Sequence, residues 1–197
     1  MAEKRPDKIR SIVPKPRQNF LRQQALQVSS LRGEAAEVGV YKGGTAKLMA
    51  QAMPGRTINL FDTFEGMPAT TKFDKHKPGD FSDTSLETVN EYLQGYNVHF
   101  WPGIFPDSAR LLPDDTEFVL VHVDVDLYES TKAVCEFFWP RLVEGGIMVF
   151  DDYNSPTCPG ANKAVDEFFD AWQEIEVSGR NKRCGTRVVK RGNIDEN

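Results

Sequence analysis

Short apolar runs and amphipathic stretches alternate along most of this chain. Residues 35–40, 57–61, 97–101, 118–123 and 147–150 are rich in Val, Ile, Leu, Phe and Ala and only four to six residues long. Such runs predict strands, and the near-continuous apolar character of 118–123 predicts one buried on both faces of a parallel sheet. Helical spacing fills the gaps at 18–30 (Phe20, Leu21, Ala25 and Leu26 apolar), 43–52 (stopped by Pro54-Gly55), 85–94, 130–139 and 162–172. A further short helix follows Ile104-Phe105-Pro106-Asp107. Two more runs, 174–178 and 185–190, flank the turn-rich Gly179-Arg180-Asn181-Lys182 and predict a closing β-hairpin. Five strand–helix alternations followed by a hairpin predict an α/β fold. The expected form is a doubly wound, mostly parallel seven-stranded sheet with helices on both faces.

The polar stretch 63–82, rich in Gly, Pro, Lys and Asp, interrupts the rhythm. Loops of that length inside a domain are commonly functional lids or disordered segments. Charge divides the chain elsewhere. Residues 1–32 carry eight Lys and Arg against Glu3 and Asp7, a surplus of six, so with a net charge of −5 the remainder carries −11. We therefore separate a basic N-terminal arm or lid helix, 1–32, from a folded domain, 33–197. The arm reads either as a solvated, partly disordered tail or as a segment that folds over a site or onto an acidic partner. An acidic folded part argues against nucleic-acid binding. No run approaches the ~20 apolar residues of a membrane span, and the N-terminus lacks the apolar core of a signal peptide. Cys135, Cys158 and Cys184 are odd in number and widely spaced, which suits reduced thiols in a cytoplasmic protein.

Two segments carry chemistry. In the first, Glu37-Val38-Gly39-Val40-Tyr41-Lys42-Gly43-Gly44-Thr45 places a glycine turn between a strand and a helix, where a ligand can approach free N–H groups. The spacing is not that of the dinucleotide fingerprint, yet Asp62 follows Gly43 by 19 residues, at the end of the second strand, where a carboxylate accepts ribose hydroxyls. Glu37 would repel a phosphate but suits a cationic ligand, which shifts the expected cofactor from NAD toward S-adenosylmethionine. In the second segment, two strands end in carboxylates: Asp124 and Asp126 after 118–123, Asp151 and Asp152 after 147–150. Neighbouring strands would bring these to one crevice, where repulsion calls for shared protons or a cation. Asp124, Asp151 and Asp152 suit Mg²⁺ or another divalent cation. Asp126 is expected either to cap the following helix or to support the cluster without binding the cation itself.

These residues resemble a family. Glu37-Val-Gly-Val-Tyr-Lys-Gly-Gly-Thr45, Phe61-Asp-Thr-Phe-Glu-Gly-Met-Pro68, His122-Val-Asp-Val-Asp-Leu-Tyr-Glu-Ser-Thr131, Phe150-Asp-Asp-Tyr153 and Ala161-Asn-Lys-Ala-Val-Asp-Glu-Phe168 are similar, in order, to the macrocin O-methyltransferases. That family comprises class I, Rossmann-like enzymes that use a metal and S-adenosylmethionine to methylate sugar hydroxyls of antibiotics. The resemblance implies Glu37, Gly39 and Gly43 around the methyl donor, with Tyr41 beside them, and Asp62 at its ribose, with Thr63 beside it. It also implies Asp124, Asp151 and Asp152 at the metal. Catechol methyltransferases, more distant relatives, carry a lysine three residues past the first metal aspartate. Here that residue is Leu127, so no lysine base is carried over.

The expected reaction moves a methyl group to a hydroxyl of a sugar or polyol-like small molecule, with Asp124 as general base and 63–82 closing over the reactants. His76, His99 and His122 are read as loop or packed residues rather than bases, and Phe64, Phe73, Phe81, Trp101 and Phe105 as either pocket lining or packing. A catalytically weak methyl-donor-binding module, an aspartyl-phosphate phosphohydrolase and a sugar-nucleotide glycosyltransferase are the alternatives. The sequence leaves a homo-oligomer open.

Overall fold

The computed structural model describes residues 10–169, 176–178 and 186–190, and for 176–178 and 186–189 the backbone alone. Lys4, Arg5, Lys8, the turn 179–182, Cys184 and residues 170–172 of the expected last helix lie outside the described residues. Five parallel strands form the body: β1 (Glu34–Val38), β2 (Ile58–Asp62), β3 (Val98–Pro102), β4 (Phe118–Val123) and β5 (Leu142–Phe150). In space they run β3-β2-β1-β4-β5, and β7 (Thr186–Val189) and β6 (Glu176–Ser178) continue this order antiparallel beyond β5. The order reverses between β1 and β4, so the connections diverge there and leave a crevice at the strand carboxyl ends.

Alternation of side chains along each strand feeds two cores. Ala35, Leu60, Leu120 and Ile147 face α1 (Lys15–Gln27), α2 (Gly44–Ala52) and α3 (Leu86–Tyr92), through Leu21, Ala25, Met49 and Val89. Ala36, Phe61, Val121 and Met148 face α4 (Tyr128–Arg141) and α5 (Pro159–Phe169), through Val134, Phe138 and Val165. All of β4 is buried, as its apolar run predicts. Phe138 is the hub of the second core, its ring within 6 Å of Phe61, Phe105, Phe118 and Phe137.

Most boundaries fall within a few residues of expectation, and the larger shifts have causes. Helix α1 begins at Lys15, three residues early, because Pro14 and Pro16 sit in a first turn whose N–H groups lack partners in any case. Strand β5 begins at Leu142, five residues early, directly after α4. Gly145 and Gly146 look like a turn in sequence, yet they exchange backbone bonds with Lys190 (2.7 and 3.0 Å) and extend the ladder. Residues 63–84 contain neither helix nor strand, but they are tied down: Asp74 Oδ2 accepts from Thr71 N and Oγ1 (2.7 and 2.8 Å), and Asp74 Oδ1 from Tyr128 N (2.8 Å). A Cβ on Gly160 would lie 2.0 Å from that same Asp74 oxygen, so glycine is what lets the loop seat against α4 and α5. Among the described residues no helix is long and apolar enough to cross a membrane.

Candidate cofactor and metal site

A cavity of about 340 Å³ opens at the carboxyl ends of β1, β2, β4 and β5, where the strand order reverses. The glycine turn forms one wall. Gly39 adopts φ +88°, and a Cβ there would lie 1.9 Å from the Asp124 carbonyl oxygen, so glycine is required twice over. Asp62 then organises the turn: its Oδ2 accepts from Val40 N and Tyr41 N (2.7 and 2.8 Å), and its Oδ1 from Phe64 N (2.7 Å). The carboxylate stays partly exposed to the cavity, with acceptor capacity left for a ligand hydroxyl. Thr63 lines the cavity and donates Oγ1–H to the Gly66 carbonyl (2.6 Å). Tyr41 lines it as well, with its hydroxyl on Asp83 Oδ1 (2.7 Å).

Two of the expected cofactor residues are elsewhere. Glu37 is fully buried inside the sheet, is not part of the cavity wall, and places Oε1 2.8 Å from Nδ1 of His122. The parallel register of β1 and β4 sets Glu37 directly opposite His122, and strand alternation turns both toward the α1 and α2 face. Among the described residues Glu37 Oε2 has no hydrogen-bond partner. Gly43 also stays off the wall; its Cα faces Val89 and Tyr92 of α3 while its neighbour Gly44 lines the cavity. A Cβ on Gly44 would meet the Arg10 carbonyl oxygen at 2.1 Å, so the arm packs directly onto the start of α2.

The acidic wall is assembled from β4 and β5. Pairing of Val123 with Phe150, followed by the Asp151 N–H to Val123 O bond (3.0 Å), brings Asp124 beside Asp151 and Asp152. One carboxylate oxygen from each lies within 4.8 Å of the others. Asp124 keeps an opening to the cavity, but its carboxyl sits deep among like charges. Burial, then the charges of Asp151 and Asp152, push its pKa well above the ordinary carboxylate value. Asp152 is raised as well, by burial and then by Asp126 and Asp151. Three crowded carboxylate oxygens are the donor set a hard divalent cation takes, so the residues fit such an ion.

A protein cation already reaches this wall. Arg17 of α1 places Nη1 2.7 Å from Asp151 Oδ2. Burial works against the guanidinium charge, but Asp151, followed by Asp152 and Asp124, outweighs it and raises the Arg17 pKa. Residues 10–14 line the same cavity.

Asp126 does not cap α4. Leu127 holds the N-cap position without a side-chain bond, and Asp74 supplies the acceptor for Tyr128 N instead. Asp126 adopts φ +60°, donates its N–H to Asp152 Oδ2 (2.9 Å) and receives the Cys158 thiol on Oδ1 (3.0 Å). His76 also lines the cavity, 3.6 Å from Asp126. Sequence reading missed Arg17, His76 and Cys158, whose meeting depends on contacts between residues distant in the chain, 134 apart for Arg17 and Asp151 and 32 apart for Asp126 and Cys158. Phe81 and Phe105 line the cavity; Phe64, Phe73 and Trp101 pack on Phe100, Tyr128 and Phe61.

Residues 1–177 match the family model described as macrocin-O-methyltransferase. Demethyldecarbamoylnovobiocin O-methyltransferase of Streptomyces niveus is 32% identical, over 75% of this chain and 63% of its own length. Mycinamicin III 3''-O-methyltransferase of Micromonospora griseorubida is 33% identical, over 70% and 61%. The chain thus spans about three fifths of the curated relatives it matches. Among solved structures, the O-methyltransferase NovP superposes with a TM-score of 0.75 at 28% identity, covering 90% of this chain and 80% of that one. The calicheamicin methyltransferase CalS11 follows with 0.72 at 25%, over the same shares. With the glycine turn, Asp62 and the paired strand-end carboxylates all in their expected order, the chain belongs to the macrocin O-methyltransferase family.

Proposed function

We propose that this protein transfers a methyl group from S-adenosylmethionine to a hydroxyl of a sugar or polyol-like small molecule, with Mg²⁺ or another divalent cation at the acidic wall. The observation that carries the reading is one cavity with two unlike walls: a glycine turn organised by Asp62, and the carboxylates Asp124, Asp151 and Asp152. The named relatives are O-methyltransferases of natural products, which supports the acceptor class. Gly39, Tyr41, Asp62 and Thr63 would hold the methyl donor, with Asp62 accepting from its ribose. Neither Glu37 nor Gly43 reaches the cavity: Glu37 pairs with His122 inside the sheet, and Gly43 contributes through the shape of the turn. Asp124, Asp151 and Asp152 would hold the cation, which when bound would lower the pKa of a hydroxyl beside it. Asp124, the acidic-wall residue whose backbone packs against Gly39 of the turn, is assigned the acceptor proton. The remaining contribution is orientation: the turn and the cluster fix donor and acceptor for in-line transfer, and 63–82, pinned by Asp74, excludes water.

The Arg17–Asp151 pair supports a second reading, in which a guanidinium takes the place of the cation and the protein binds the methyl donor without turning over an acceptor. One experiment separates them. Calorimetry is expected to detect S-adenosylmethionine binding with or without EDTA. Transfer of labelled methyl to a panel of deoxysugar glycosides is expected to stop in EDTA and to return with Mg²⁺. Undiminished transfer in EDTA would sink the metal role, and donor binding with no transfer under any metal would favour the binding module.

A further inference from the structure

Beside the acidic wall lies a second group of ligating side chains, of mixed chemistry, that the methyl-transfer reading leaves unused. His76 from the 63–84 loop, Asp126 from the end of β4 and Cys158 from the turn before α5 converge on the cavity. Cys158 Sγ is 3.0 Å from Asp126 Oδ1, Asp126 Oδ1 is 3.6 Å from His76 Nε2, and Cys158 Sγ is 4.0 Å from His76 Nε2. A tetrahedral ion with metal–sulfur bonds of about 2.3 Å and metal–nitrogen or –oxygen bonds of about 2.0–2.1 Å holds sulfur about 3.5 Å from its co-ligands and nitrogen about 3.3 Å from oxygen. All three observed edges come within about 0.5 Å of that figure.

The surroundings of His76 point the same way. Its Nδ1 lies 3.3 Å from Asp80 Oδ2, and Asp80 is itself fixed by the Lys77 N–H at 2.9 Å. A carboxylate accepting from Nδ1–H leaves the Nε2 lone pair aimed into the cluster, the arrangement that orients metal-bound histidines. The chemistry also differs from that of the neighbouring wall. Three carboxylates select a hard, oxygen-seeking cation, whereas a thiol, an imidazole and a single carboxylate select a softer one.

The geometry points to a second cation site, formed by His76, Asp126 and Cys158, that takes a zinc-class divalent ion and leaves its fourth position open to the cavity. On binding, the Cys158 thiol releases its proton to solvent and the thiolate turns from Asp126 and Asp152 to the ion. The two sites share a boundary: Asp126 N donates to Asp152 Oδ2 at 2.9 Å, and Cys158 Sγ lies 3.5 Å from Asp152 Oδ1. Divalent ions on either side of Asp152 repel, so each weakens the other.

Titration of the metal-free protein with Cd²⁺ tests this through the ultraviolet charge-transfer band of a cadmium–thiolate bond. One equivalent is expected to bind and to produce the band, which persists in Cys135→Ser and Cys184→Ser and vanishes in Cys158→Ser. His76→Gln, in a loop outside both cores, is expected to weaken Cd²⁺ binding about tenfold or more; it serves where Cys158→Ser does not fold. Saturating Mg²⁺ is expected to weaken Cd²⁺ severalfold in the unaltered protein. No band at stoichiometric Cd²⁺, a band that survives Cys158→Ser, or an affinity unmoved in His76→Gln overturns the proposal. None of these readouts depends on methyl transfer, so the second site and the proposed activity fail separately.

Discussion

At the end of β1 the polypeptide satisfies itself, whereas at the ends of β4 and β5 it does not. Around the glycine turn, Asp62 accepts three backbone N–H groups from the loops that flank it. Around the acidic wall, Asp124 and Asp152 are buried against other carboxylates, and burial followed by their neighbours' charges holds both well above the usual carboxylate range. Arg17 offsets this from one side, through Asp151. The first wall is a structural element that leaves room for a ligand. The second is a liability in the free protein, and it is stable in proportion to the positive charge it can recruit. The comparison separates residues that shape the cavity from residues that act in it.

The largest expected effect breaks the self-satisfied wall. Gly39→Val places a side chain at φ +88° and against the Asp124 carbonyl, so a loss of about 3 kcal/mol or more is expected in denaturant unfolding, together with loss of donor binding. A normal melting curve with intact binding would show that the turn has freedom the packing denies it.

Next comes the charged wall. The folded pKa values of Asp124 and Asp152 are raised, so the folded chain holds these protons more tightly than the unfolded chain. The stability they contribute is full below the ordinary carboxylate range and falls as pH rises through the folded values. In EDTA, stability is therefore expected to fall as pH rises above the ordinary carboxylate range. Asp124→Asn should flatten that slope, and Mg²⁺ should oppose it in the unaltered protein only. Denaturation across pH, compared between the two proteins, checks the sign.

Arg17→Ala removes the guanidinium from Asp151. We expect the metal-free protein to lose about 2 kcal/mol and Mg²⁺ to raise the melting temperature more in the variant than in the parent. Equal rises would mean that Arg17 and the cation do not compete. The smallest effect is expected at Asp74→Ala, which unpins 63–84 from the start of α4. About 1 kcal/mol should be lost, with faster proteolysis inside the loop as the clearer readout.

Much of this architecture is legible in the sequence, for local reasons. Apolar runs of strand length, Gly and Pro stops and a hairpin turn mark the elements, because each depends on a few neighbouring residues. Asp124, Asp151 and Asp152 can be read as one cluster, since carboxylates at the ends of parallel strands share an edge. Glu37 is the instructive failure. It stands two residues before Gly39 and reads as part of the turn, but alternation within β1 turns it into the sheet. Its partner His122 is 85 residues away and is fixed by register. Asp126 is half legible: a carboxylate there reads as a helix cap or as a support to the cluster, and while the cap bond goes to Asp74, 54 residues from Tyr128, Asp126 N donates to Asp152.

What the sequence determined by itself is the alternation of elements and the placing of carboxylates at strand ends, because periodicity and turn chemistry act over short spans of chain. What only the tertiary structure decided is which charged groups face one another: Arg17 with Asp151, Glu37 with His122, and His76 and Cys158 with Asp126. Those pairings follow from strand register and from where a helix or loop docks. A buried charge takes whatever partner that geometry brings within reach.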